Sequence, residues 1–170
     1  MLFNELSPGQ ERMKSTLMFL LRLMAFSLPL YGIIFFADLT VLQGAVAGNS
    51  YWVMEGMGLS PSINGAEMQV DDFHFIISKD STGWKSMLFL GALILSVPAV
   101  SWKRRGLGLV IGIPLVYIGN LGRVVGIVMV EQAWGVEAAM IVHDWLWRFG
   151  LIALVLCIWG IWFWRVRRGR

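Results

Sequence analysis

Four apolar stretches dominate this chain, and three polar residues stand in or beside them: Ser81 before one, Arg123 inside another, and His143 at the mouth of a third. A charge inside hydrocarbon costs several kcal/mol, so it persists only where a bundle interior, a water-filled pocket or a function holds it. These positions constrain both the fold and any chemistry it carries.

The apolar runs approach or exceed the ~18 to 20 residues that cross a bilayer. With 57% apolar and only 15% charged residues, the chain is too hydrophobic for a soluble domain and reads as an integral membrane protein. The spacing predicts an all-α polytopic membrane protein with about four transmembrane helices, forming a single membrane domain over residues 1–170. The spans are Leu17 to Ala37, Ser86 to Val100, Leu107 to Val130 and Trp145 to Trp164. The first run lies too late and is too long for a signal peptide, and no small-residue cleavage site follows it. Leu39 to Met57 is interrupted by Gly44, Gly48, Asn49 and Glu55 and reads as an outer interfacial helix, with a fifth span or re-entrant segment as the alternative.

Basic residues give the orientation. Arg12 and Lys14 precede the first span, Lys103, Arg104 and Arg105 separate the second from the third, and Arg165, Arg167, Arg168 and Arg170 follow the fourth. Four spans put all three clusters on one side, the cytoplasmic one, with both termini inside the cell and a plasma or inner membrane location. The acids Asp38, Glu55, Glu67, Asp80 and Asp144 fall on the outer side. The net charge of +3 is explained by these flanks, and no aromatic and basic alternation points to a nucleic acid. The sole cysteine, Cys157, lies within the fourth span, which excludes an intramolecular disulfide and a CxxC motif.

Between Pro61 and Lys79 the pattern changes. Asn64-Gly65 is a turn signal, Met68 to Val70 and Phe73 to Ile77 have strand composition, and Asp71-Asp72 can turn between them, giving a small β-hairpin on the outer face. The hairpin leads to Ser81. Ser81 or Thr82 can simply cap the next helix. Alternatively, a side chain at a helix start sits near unpaired N–H groups that favour a nucleophile and receive an oxyanion.

Arg123 lies about 24 Å along a helix from Leu107 at ~1.5 Å per residue, in the outer half of the third span. Gly108, Gly112, Gly119, Gly122 and Gly126 offer small faces for neighbouring helices, and Asn120 can bond across the bundle. Arg123 is either half of a buried ion pair with Asp80 or Asp144, or a fixed cation for a carboxylate or an oxyanion. His143, in VHDWLW, is either an interfacial residue or a general acid and base; the adjacent Asp144 is not on its helical face. His74 reads as a surface or strand residue, and two histidines without a ligand-spaced third make a weak metal site.

STGWKS at Ser81 to Ser86 followed by MLFLGALILSVP, PLVYIGNLGRVVGIV from Pro114 to Val128, and IVHDW from Ile141 to Trp145 together resemble the core of the archaeosortase/exosortase family of membrane cysteine transpeptidases, over residues 60–164. The resemblance implies a catalytic triad of cysteine, arginine and histidine, which fall on Ser81, Arg123 and His143. The family has cysteine where this chain has Ser81, and Cys157 is not placed to replace it. Serine is the weaker nucleophile at neutral pH. It marks a change made to trap substrate, a natural serine variant, or a relative that has lost its chemistry.

The resemblance further implies a protease or transpeptidase that cleaves surface-protein precursors at a C-terminal motif, hydrophobic helix and basic tail. The product passes to a lipid or other membrane acceptor, without metal or organic cofactor, at a site near the outer face. The alternative is a noncatalytic binding or assembly protein that uses Arg123 to hold an acidic partner group. A small transporter is disfavoured by the lack of duplicated halves.

Overall fold

The computed structural model describes residues 7–145 and 149–168. Residues 146–148 of the expected fourth span, and Arg170 of the last basic cluster, lie outside the described residues. Five helices, a three-stranded sheet and one 3-10 turn are formed by the described residues.

Helix α1, Pro8–Phe36, opens on a capping box: the Ser7 side chain accepts from Gln10 N, and Gln10 Oε1 accepts from Ser7 N at 2.8 Å, with Pro8 at the first helical position. Its flank is strongly apolar and uncovered, with Ile33 68% and Phe36 86% exposed. Water would not tolerate so large a patch on a monomer, whereas hydrocarbon would. Helices α1 and α4, the latter Trp102–Trp145, are long and apolar enough to cross a membrane. Helix α3, Trp84–Ser96, has 13 residues, and α5, Leu151–Arg168, has 18 with three arginines in its last turn.

Two cores organise these elements. In one, Leu90, Leu93 and Ile94 of α3 meet Val116 of α4 and Val155 of α5, with Phe19 and Leu23 of α1 packed against them. In the other, Val46, Ala47 and Met54 of α2, Thr40–Gly56, meet Met68 and Val70 of the sheet and Val124, Val125 and Val128 of α4. Gly112 lets α4 approach Leu90 of α3, and Gly108 and Gly119 let it approach Trp162 and Leu154 of α5. Gly122 and Gly126 have nothing within 4 Å of where a Cβ would stand.

The segment between Pro61 and Lys79 is richer than a hairpin. The strands β1, Pro61–Asn64, β2, Glu67–Val70, and β3, Phe73–Ile76, form an antiparallel sheet in the order β1-β2-β3. Asp71 and Asp72 turn the chain between Val70 and Phe73, as the sequence predicts, with Asp71 at φ 51°. The added strand, β1, pairs Asn64 with Glu67 across Gly65 and Ala66. It escapes sequence patterning because Ser62, Ile63 and Asn64 are all exposed, leaving no alternation to detect.

Two further expectations are corrected. Neither Ser81 nor Thr82 caps α3: both lie in a 3-10 turn, Lys79–Thr82, which is itself capped by Ser78, and α3 begins after Gly83 at φ 77°. Helix α3 also ends at Ser96, short of Val100, because Pro98 cannot continue it and Arg105 caps it from α4. Arg105 donates to the carbonyls of Leu95 at 2.9 Å and Val97 at 2.8 Å.

Candidate functional site

Ser81 is positioned through its backbone. Its N–H donates to the Ser78 carbonyl at 2.9 Å, and its own carbonyl accepts from Asn120 Nδ2 at 2.9 Å and from Arg123 Nη2 at 3.2 Å. Arg123 Nε also donates to Asn120 Oδ1 at 3.2 Å, so one turn of α4 supplies a closed three-residue clamp. Asn120 is fully buried and Arg123 is 6% exposed, so these bonds lie where water does not compete.

Of the two readings of Arg123, the ion pair with Asp80 or Asp144 is not formed. Asp80 bonds Lys85 at 2.9 Å on the surface, and Asp144 approaches its neighbour His143 at 3.4 Å. The guanidinium of Arg123 meets the dipoles of a carbonyl and an amide. Gly83 is required beside the clamp: a Cβ there would lie 2.9 Å from Asn120 Cγ, and its positive φ is one that glycine adopts without strain.

Lys79 fixes the turn from the other side. Its Nζ donates to the carbonyls of Phe35 at 2.7 Å and Ala37 at 2.6 Å, placing a cation on the C-terminal end of α1. Thr82 Oγ1 donates to the Lys79 carbonyl at 2.8 Å, closing the turn internally. Neither Lys79 nor Ser78 stood out in the sequence, although a serine three residues before Ser81 is a legible turn cap.

His143 reaches the site through a break in α4. Along one straight helix it would lie about 30 Å from Arg123 at ~1.5 Å per residue. Yet both residues line one cavity with Ser81, because Gly135, at φ 81° and ψ 174°, interrupts the helix and redirects Met140 and His143. The cavity is about 180 Å³, and Phe73 and Phe75 of β3 complete its apolar wall. Cys157 is exposed on α5 and does not line it; His74 is exposed on β3, opposite Gln69.

The Ser81 hydroxyl shares a 2.9 Å hydrogen bond with Ser78 Oγ, and no hydrogen bond joins it to His143 among the described residues. A hydroxyl, an imidazole and a guanidinium around one apolar cavity can supply a nucleophile, a proton carrier and a fixed positive charge. No group of three or more His, Cys, Asp or Glu side chains that could hold a metal is gathered among the described residues.

No curated protein and no solved structure matches the chain. A family described as transmembrane exosortase matches residues 9–163, which takes in α1 and α2 as well as the segments that carry the sequence resemblance. Spanning nearly all of its helices and the whole of the sheet, that match shows that the chain belongs to the transmembrane exosortase family.

Proposed function

We propose that this protein is a membrane-embedded sorting transpeptidase or protease, with residue 81 in the nucleophile position, His143 as general base and acid, and Arg123 as the cation of the site. It acts on surface-protein precursors ending in a short motif, a hydrophobic helix and a basic tail. The observation that carries this reading is the convergence of Ser81, Arg123 and His143 on one cavity from segments 42 and 20 residues apart in the chain.

In the reaction, Oγ of Ser81 attacks the scissile carbonyl while His143 takes its proton. The tetrahedral oxyanion collapses with return of that proton to the leaving amine, and the acyl group passes to a membrane acceptor or to water. Four spans, with both termini cytoplasmic and the cavity toward the outer face, complete the proposal. The open edge of β3 beside the cavity suits an extended substrate segment, because an edge strand presents unpaired N–H and C=O groups.

The test is co-expression with a tail-bearing precursor encoded nearby, comparing the Ser81 form with S81C and S81A and probing for covalently attached substrate. Processing by Ser81 that S81A abolishes supports a serine enzyme; processing by S81C alone supports a silenced cysteine enzyme. A second reading, a noncatalytic protein that holds an acidic partner group through Arg123, is favoured by the engagement of the Ser81 hydroxyl with Ser78. It predicts precursor binding that R123A weakens, with no processing in any form.

A further inference from the structure

A second concave feature lies between α4 and α5, along the N-terminal part of α4. This groove of about 480 Å³ is walled by Ile111 and Leu115 of α4 and Ile158 and Trp162 of α5, with Arg104 and Arg165 at one rim. Bonds between the two helices fix the Arg104 side of this rim. Arg104 Nη1 donates to the Val166 carbonyl at 3.1 Å, and Trp162 Nε1 donates to the Arg104 carbonyl at 3.1 Å. The indole occupies the space that a side chain at Gly108 would take, so α4 and α5 close against each other beneath the rim.

The dimensions select the occupant. Arg104 to Leu115 is a rise of about 16 Å at ~1.5 Å per residue. Half of a ~30 Å hydrocarbon core is about 15 Å. The groove thus has the depth of one leaflet, whereas a membrane-spanning helix needs the full thickness. Its chemistry is also that of a single amphipathic molecule, with branched aliphatic walls along its length and two guanidinium groups at one end. A second copy of this chain would bring another basic cluster to that rim and be repelled.

We propose that the groove binds an anionic phospholipid, with an acyl chain along Ile111, Leu115 and Ile158 and the phosphate oxygens accepting from Arg104 and Arg165. Paired arginines suit phosphate because each offers a planar fork of donors, and basic pockets between membrane helices bind lipid headgroups in this way. The site is independent of the Ser81 cavity and of any reaction there.

The experiment is native mass spectrometry of the full chain in detergent, titrated with dioleoylphosphatidylglycerol, dioleoylphosphatidylcholine or glycerol 1-phosphate. The expected result is retention of phosphatidylglycerol in preference to the other two. R165Q, which leaves the Arg104 to Val166 bond intact, weakens that binding about tenfold, as loss of a charged hydrogen-bond donor predicts. R104Q/R165Q weakens it further, and I111W weakens it by filling the groove. R168Q is the charge control, because Arg168 lies over the Trp164 ring at 3.9 Å and outside the groove lining; it binds as the parent chain does. Equal binding of phosphatidylcholine, equal binding of glycerol 1-phosphate, an unchanged R165Q, or an R168Q loss as large as that of R165Q would each overturn the proposal.

Discussion

Asn120 donates from Nδ2 to the main-chain carbonyl of Ser81 at 2.9 Å while its Oδ1 accepts from Arg123 Nε, so a single buried amide couples the turn bearing Ser81 to the Arg123 guanidinium. Replacing Asn120 by Ala removes both bonds and leaves the Ser81 carbonyl with the Arg123 Nη2 bond alone. Each lost bond costs roughly 0.5 to 1.5 kcal/mol. Thermal unfolding of purified N120A in detergent is expected to show a clearly lowered midpoint, and any processing activity should fall with it; an unchanged midpoint would remove the clamp from the account.

Gly83 supports the same clamp by two separable means. Gly83→Ala meets Asn120 Cγ at 2.9 Å and forces a non-glycine residue to φ 77°, the latter alone costing about 1 to 2 kcal/mol. G83A in the parent chain should therefore be more damaging than G83A introduced into N120A, where the contact with Cγ is gone and the backbone strain and a 3.1 Å approach to the Cβ of residue 120 remain. A double-mutant cycle on unfolding midpoints measures the difference.

Lys79→Met deletes two hydrogen bonds to the end of α1. A cation at a helix C-terminus contributes up to about 2 kcal/mol in partly buried geometry. K79M is expected to lower the unfolding midpoint and K79R to restore most of it. Because Lys79 lies two residues from Ser81, alkylation of S81C in a C157A background should also quicken in K79M as the turn loosens.

Gly135→Val tests the redirected end of α4. A β-branched residue at φ 81° is strongly disfavoured, so the segment after it loses its direction. Cross-linking of an S81C/H143C pair by a short bifunctional thiol reagent, in a C157A background, should be efficient with Gly135 and largely lost in G135V.

The junction after α1 carries a pH dependence. The Thr40 hydroxyl and N–H both donate to Asp38, holding its carboxyl below the ordinary aspartate range. A depressed folded-state pKa means that its contribution to stability is present above the ordinary aspartate pKa and is lost as pH falls through the lower folded value. Asp38→Asn should therefore lower the unfolding midpoint at neutral pH and make no difference once the pH is below that folded value.

The three residues around the cavity were legible because each is an anomaly of its surroundings, most plainly Arg123 in an apolar helix. Their supports were legible in part. Asn120 was expected to bond across the bundle and does so, but its partner and that of Arg123 is the Ser81 main-chain carbonyl, which no residue pattern announces. Gly135 looks in sequence like any glycine tolerated in a helix; only its backbone angles mark the break that brings His143 back. The turn between β2 and β3 was readable from Asp71-Asp72, whereas β1 is added by backbone pairing alone.

Helix α3 has a consequence for which acceptors can arrive. Its 13 residues rise about 20 Å, against a hydrocarbon core of ~30 Å. In the proposed four-span topology, with the Arg105-capped end of α3 at the inner boundary, the other end stops about 10 Å short of the far boundary, and the Ser81 turn lies at the bottom of a depression in the membrane. Molecules dissolved in the aqueous phase must descend into that recess, while an amphipathic amine diffusing in the bilayer already travels at its level.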